Sequence, residues 1–422
     1  MKLCLKNAKI GILDKENHWS IIDGNVWVKG GIIEYVGDQI VSGYEEVDCE
    51  NNLLLPGFVN AHTHSPMTCF RSLADNKPLD KWLNEQIFPR EALLTEEDMY
   101  WFTKLAILEY LSSGVTSIFD MYFAKEGVAK ACEEYGFRLT MCGAVNDFVQ
   151  SVPEMKELYL KYHNYLDGLI DYKLGFHAQY TTDDSLIGEI AALAHELKEP
   201  VFTHLSETKK EVADCVTAYQ KTPLAYLCEK GIFDYGGGIF HGVYLTDEDI
   251  FLLKENHIAV VTNPSSNLKL ASGIANVDKL LKQEILMAIG TDGAASNNAL
   301  DMFREMYLTG TLSKVINEDA CAVDATDVLK MACINGNLLL GKADVGQIKA
   351  GYKADLVLLD LKSPNMQPVN HILENLVYAG AKSNVKFTMV NGKILYRDGK
   401  YLLPDSPYTV YNHCNDIVKR KF

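Results

Sequence analysis

The sequence predicts an α/β protein: a (β/α)8 barrel of the TIM type carrying a small β-sandwich domain assembled from both chain ends. Three observations predict it. Short, apolar, β-rich runs alternate with longer amphipathic stretches through the middle of the chain, as parallel strands joined by helical crossovers require. There are eight such runs, the number that closes a barrel, and a doubly wound sheet is the main rival arrangement. The two flanks read differently, as short alternating segments separated by Gly, Asn and Asp in the manner of hairpins.

In order, the runs are "LLLPGFVNAH" from residue 53, "GVTSIFDMY" (114–122), "FRLTMCGAV" (137–145), "YKLGFHA" (172–178), "PVFTHLSE" (200–207), "GGIFHGVYL" (237–245), "HIAVVTNP" (257–264) and "ILMAIGTDG" (285–293). The intervening stretch 95–111 opens on Thr95 with Asp98 three residues later, a variant of the capping signature, and 182–197 and 246–256 open in a similar way. The expected boundaries are therefore 1–55 and 346–422 for the two parts of the β-domain, with 56–345 as the barrel. No internal repeat, low-complexity tract or flexible linker interrupts this plan.

Length and composition agree with it. A chain of 422 residues accommodates one large core plus a smaller one, since single cores stop growing near about 250–300 residues. Apolar residues at 48% and charged residues at 23% are ordinary for a globular protein. A formal charge of −16 repels polyanions, which argues against a nucleic-acid partner. The opening "MKLCLKNAKIGIL" alternates like a strand instead of forming a signal-peptide core. No apolar run approaches the ~20 residues of a membrane span, so the expectation is a cytoplasmic protein with no membrane partner. Ten cysteines without a C-x-x-C pair read as reduced, packed thiols.

The chemistry is written at the strand ends. In an extended segment, residues i and i+2 share a face, so His62 and His64 project together from the end of the first run. His177, His204, His241 and Asp292 end the later runs, and in such barrels strand ends converge on the catalytic face. His-x-His alone is common on surfaces; six polar groups converging on one rim are not. His62, His64, His204 and Asp292 supply three imidazoles and a carboxylate for a single divalent metal with an open position. Such a metal lowers the pKa of a bound water toward about 7. Glu207, three residues beyond His204, can reach that water without being a ligand, and His241 remains as an electrophilic or hydrogen-bonding group.

The segments "PGFVNAHTHSPMTCFRSLADNKPLDKWL", "HLSET", "NPSSNLKLASGIANV", "GTDGAASNN" and "GYKADLVLLDL" resemble the amidohydrolase superfamily, and within it the 5'-methylthioadenosine/S-adenosylhomocysteine deaminases. The resemblance implies metal ligation by His62, His64, His204 and Asp292, with zinc as the metal and ferrous iron as the alternative. It implies proton transfer by Glu207 with His241 and Asp292 as catalytic partners. Substrate contacts fall on Glu91 in "FPREALL", His177, Glu207 and Trp82 in "PLDKWL". The reaction implied is hydrolytic deamination of an adenosine-type nucleoside, and a homo-oligomer is compatible with the fold.

Other readings stay open at this point. The same constellation can deaminate guanine, cytosine or a pterin. A two-metal amide hydrolase needs a bridging lysine or carboxylate at the end of the fourth strand, where this chain has His177. A non-catalytic metal scaffold has no use for Glu207 beside the open position. One departure from the resembled family concerns the substrate tail: Cys142 stands where an arginine for a substrate carboxylate is expected, and no arginine occurs between Arg138 and Arg304. Phe148 and Val149 in the same stretch favour a methylthio or deoxy terminus.

Overall fold

The alternation seen in the sequence becomes two sheets in a computed structural model that describes residues 2–123 and 126–422. Five strands precede the barrel: β1 (Lys2–Leu13), β2 (Trp19–Lys29), β3 (Ile32–Gly37), β4 (Glu45–Asp48) and β5 (Leu53–Pro56). The barrel strands are β6 (Phe58–Thr63), β7 (Val115–Met121), β8 (Arg138–Cys142), β9 (Ile170–Ala178), β10 (Val201–Leu205), β11 (Gly237–His241), β12 (Ile258–Thr262) and β13 (Met287–Ile289). Four more follow: β14 (Leu356–Leu359), β15 (Val385–Val390), β16 (Lys393–Arg397) and β17 (Lys400–Tyr401).

Strands β6 to β13 pair in sequence order, and each registered pair is parallel. Closure between β13 and β6 is made by groups just beyond β13: Thr291 N donates to Asn60 Oδ1 at 2.9 Å, and Asp292 N donates to His62 O at 3.0 Å. Because helices cover the outside and side chains fill the inside, β7, β8, β10 and β12 are buried at every position. That double burial is why these strands read as unbroken apolar runs. The crossover helices start where capping chemistry places them. Thr95 and Asp98 form a reciprocal box at Glu96–Ser112, and Thr246 and Asp249 do so at Asp247–Glu255. At 182–197 the cap is Asp183, one residue later than Thr182, and the helix runs Asp184–Leu197.

Two readings of the sequence need correction. The run "LLLPGFVNAH" is not one strand: β5 belongs to the terminal sheet and β6 to the barrel. The break is Gly57, where a Cβ would lie 2.1 Å from the Thr116 side chain, so only glycine lets the chain pass that close. Residues 407–421 are not part of the β-region; they form the helix Pro407–Lys421 against the barrel helix Glu96–Ser112. His413 stacks on Trp101 with centroids 3.8 Å apart, and Lys421 pairs with Asp98 at 2.7 Å. Its apolar side is only Val410, Cys414 and Ile417, too sparse to stand out among charged neighbours.

The terminal sheet is a nine-stranded mixed sheet in the order β17-β16-β15-β14-β5-β1-β2-β3, with β4 also on β1. It forks at β1, whose first half pairs with β4 and whose second half pairs with β5, and it encloses a core that includes Leu5, Ile10, Val26, Ile33, Leu54, Leu356 and Phe387. All ten cysteines are free thiols, and Cys142 is buried inside the barrel. Among the described residues, no helix is long and apolar enough to cross a membrane.

Candidate active site

The barrel rim gathers the side chains that the sequence placed at strand ends. His62 lies within β6 and His64 just after it, His177 near the end of β9, His204 in β10, His241 at the end of β11, and Asp292 three residues beyond β13. Ser206, His241 and Asp292 have φ of +53°, +76° and +60°. Three non-glycine residues in the left-handed region at one rim mark a place where the fold accepts strain to aim side chains.

Main-chain carbonyls fix the rings. His64 Nδ1 donates to Met121 O at 2.6 Å, and His204 Nδ1 donates to His177 O at 2.7 Å. Their Nε2 atoms then face each other at 3.3 Å, so two ring nitrogens point at one spot. Asp292 Oδ1 lies 3.1 Å from His64 Nε2 and 3.7 Å from His62 Nε2. His62 is buried against Phe240, with neither ring nitrogen in a hydrogen bond. Burial drives the His62 and His204 pKa values well below the usual histidine range and that of His177 to about 4, which keeps these rings neutral. Converging ring nitrogens and an orphaned buried imidazole beside a carboxylate suit a divalent cation. His62, His64 and Asp292 form one such grouping, and His62, His204 and His241 another, with ligand atoms within 4.8 Å of one another in each. His241 thus joins His62 and His204 in the same cluster as the other residues read from the sequence as ligands.

The carboxylate partner of this cluster is shaped by neighbours that sequence reasoning did not assign. Asp292 Oδ2 accepts from Ser266 Oγ at 2.5 Å and Ser296 Oγ at 3.1 Å. Asp120, at the end of β7, accepts from Ser65 N at 3.2 Å and so anchors the turn after His64. Glu211 holds Ser206 N at 2.7 Å and Glu207 N at 2.8 Å. Asp120 could have been found as the polar residue ending its apolar run; the others lie in helices or loops and carry no such signal.

Glu207 is buried, its Oε2 lies 3.8 Å from His241 Nε2, and its Oε1 accepts from Ser272 Oγ at 3.0 Å. Burial pushes its carboxyl pKa up, with the Asp292 charge acting the same way and His241 opposing. A carboxyl poised to hold and release a proton beside a cation site is the arrangement a hydrolytic proton transfer needs.

These groups form the floor of a cavity of about 420 Å³. Trp82, Phe88, Tyr122, His177, Phe148 and Val149 line it; Phe88 lies edge-on to His177 with centroids 5.9 Å apart, and Phe148 is 77% exposed. Glu91 is a buried wall residue, not an exposed loop carboxylate; Tyr122 Oη donates to it at 2.7 Å and burial raises its pKa to about 7. Cys142 does not line the cavity, so it is not the position that meets a substrate tail. The same stretch presents Ala144, Asn146, Phe148 and Val149, and neither lysine nor arginine is among the described lining residues.

Comparison with known proteins places this architecture. The amidohydrolase family profile matches residues 53–395. A 5-methylthioadenosine/S-adenosylhomocysteine deaminase of Caldanaerobacter subterraneus subsp. tengcongensis is 41% identical, with 94% of this chain and 93% of that protein covered. The protein of the same name from Thermoanaerobacter pseudethanolicus is 38% identical over 98% and 97%. The crystal structure of an adenosine deaminase from Xanthomonas campestris with bound zinc superposes with a TM-score of 0.92 at 34% identity, covering 99% of this chain and 98% of the other. With a family match across the barrel and relatives of this identity at nearly full length, the chain belongs to the amidohydrolase family.

Proposed function

We propose that the chain is a hydrolytic deaminase of adenosine-type nucleosides, converting the 6-amino group to a carbonyl with release of ammonia. The observation that carries this reading is Glu207: a buried carboxyl at the floor of a nucleoside-sized cavity, beside the histidine–aspartate cluster. The names of the relatives support the substrate class.

His62, His64, His204 and Asp292 would hold one divalent metal, zinc by preference. When bound, the metal supplies a water that ionises near neutral pH. The remaining work falls to this chain's side chains. Glu207 takes a proton from the attacking water and passes it to ring N1, which draws electrons from C6. His241 faces the carbon under attack and stabilises charge that builds there. Asp292 takes the second proton, which leaves with ammonia. Glu91 accepts hydrogen bonds from ribose hydroxyls, His177 meets the purine edge, and Trp82 closes the apolar wall.

Deamination of a free base such as guanine is the second reading, and Glu91 weighs against it, because this buried acceptor in the cavity wall, held by Tyr122, suits ribose hydroxyls that a free base lacks. Ammonia release from a panel of adenosine, 5'-deoxyadenosine, 5'-methylthioadenosine, S-adenosylhomocysteine, guanine, cytosine and a pterin tests the proposal. Turnover confined to the free bases or the pterin would replace it.

A further inference from the structure

The segment 264–273 supplies Ser266 to Asp292, and beyond that it touches both Glu207 and His241. Asn267 Oδ1 lies 2.7 Å from His241 Nδ1. The main-chain oxygen of Asn267 accepts from Ser272 N at 2.8 Å. Ser272 Oγ donates to Glu207 Oε1 at 3.0 Å, and Glu207 Oε2 returns to His241 Nε2 at 3.8 Å. The four contacts close a ring, and all four residues are buried.

Two further features separate this ring from an ordinary loop closure. The Asn267 amide nitrogen is buried without a partner, so the side chain is not spent on tying its own loop together. Leaving that donor unsatisfied is costly, and what the side chain gains is the carbonyl contact with His241. The loop is also bent to order. Ala271 has a φ of +56°, Gly273 has a φ of +140° with a Cβ position 2.7 Å from Tyr244 Oη, and Tyr244 Oη donates to Ser272 O at 2.5 Å. Tyr244 comes from the loop after β11, the strand that carries His241, so this loop is braced to the strand it serves.

We propose that Asn267 and Ser272 are paired positioning residues that set His241 and Glu207 relative to each other. This rests on the reading that Glu207 transfers a proton and His241 stabilises the developing charge in deamination. The Asn267 carbonyl holds the His241 proton on Nδ1 and leaves Nε2 turned toward Glu207. Ser272 fixes Glu207 by one oxygen and leaves the other facing His241. Because Glu207 Oε2 and His241 Nε2 face each other at 3.8 Å, the two set a single pair and act as one unit.

The test uses the zinc-loaded enzyme and two readouts. Steady-state kinetics on 5'-methylthioadenosine compare Ser272→Ala, Ser272→Thr, Asn267→Ala, Asn267→Asp and the double alanine variant; ¹⁵N shifts of labelled His241 report its protonated nitrogen. We expect Ser272→Ala to lower kcat about tenfold with KM within about twofold, and Ser272→Thr to restore most of it. Asn267→Ala should lower kcat by about 10- to 100-fold and move the His241 nitrogen shifts, while Asn267→Asp should keep the proton on Nδ1. The double variant should be no slower than Asn267→Ala alone, as for residues acting together. Unchanged kcat in Ser272→Ala, multiplicative losses in the double variant, or unmoved His241 shifts in Asn267→Ala would overturn the pairing. A wild-type enzyme inactive on every adenine nucleoside would instead overturn the deamination reading, and the His241 shifts would still decide the role of Asn267.

Discussion

His64 Nε2 stands 3.1 Å from Asp292 Oδ1, while its Nδ1 is committed to Met121 O. Although burial favours a neutral ring, the Asp292 contact outweighs it and raises the His64 pKa, and Asp292 is held well below the usual carboxylate range. The pair therefore holds a proton more readily than an isolated imidazole does, at the place where a cation would bridge the two groups. Metal must displace it, so affinity falls as pH drops below the raised His64 pKa and levels off above it. Metal content after dialysis against a limiting chelator at pH 5.5, 7 and 8.5 should rise along that series. His62→Ala should lose both metal and turnover. Retention that does not change with pH would contradict the shared proton.

Glu207→Gln preserves size and burial but cannot shuttle a proton. Metal content should stay at the wild-type level while kcat falls by about 10²-fold or more. If metal is lost as well, Glu207 is a ligand and its role must be reassigned.

Glu91 makes ribose recognition pH-dependent. With its pKa raised to about 7 by burial, the free enzyme holds this carboxyl protonated on the acid side and ionised on the alkaline side. Accepting two hydroxyl hydrogen bonds requires the ionised form, so kcat/KM should climb with pH through about 7. Glu91→Gln should raise KM for nucleosides roughly tenfold and remove that limb of the profile. A 2',3'-dideoxy substrate should be nearly blind to the substitution; equal sensitivity would place Glu91 elsewhere in recognition.

The cavity offers Glu91, Glu207 and Asp292 but no described lining cation, so an anionic tail meets no partner there. A charged hydrogen bond is typically worth about 1.5–3 kcal/mol, so its absence costs a homocysteine-bearing substrate about ten- to a hundredfold. We expect 5'-methylthioadenosine, 5'-deoxyadenosine or adenosine to show a higher kcat/KM than S-adenosylhomocysteine. Equal or better turnover of S-adenosylhomocysteine would mean that a cation outside this lining serves the tail.

Much of this was legible because the barrel makes its own punctuation. Strands buried on both faces must be apolar throughout, so a histidine or carboxylate where a run stops is conspicuous, and that is how His204, His241 and Asp292 could be located before any coordinates. Gly57 was not legible as a boundary, since strands of two different sheets written end to end look like one apolar run. Asn267 and Ser272 escaped for another reason. Their meaning lies in His241 and Glu207, which are 26 and 65 positions away in the chain, and a short polar loop holds no periodicity that could betray such partners. The buried state of Glu91 was equally hidden, because it depends on Tyr122 arriving from the next strand end.

The change of sheet at Gly57 has a consequence for biosynthesis. β6, which carries His62 and leads straight into His64, follows β5 after Gly57, and β5 is flanked by β1 on one side and by β14 on the other. β14 begins at Leu356, after every residue assigned to the site has already been made. A nascent chain halted before that point owns all of the chemistry but lacks one of the two edges that hold its leading strand. The site is therefore finished from a later part of the chain: β14, made after all of the site's residues, locks in place the strand that leads into the first of the site's histidines.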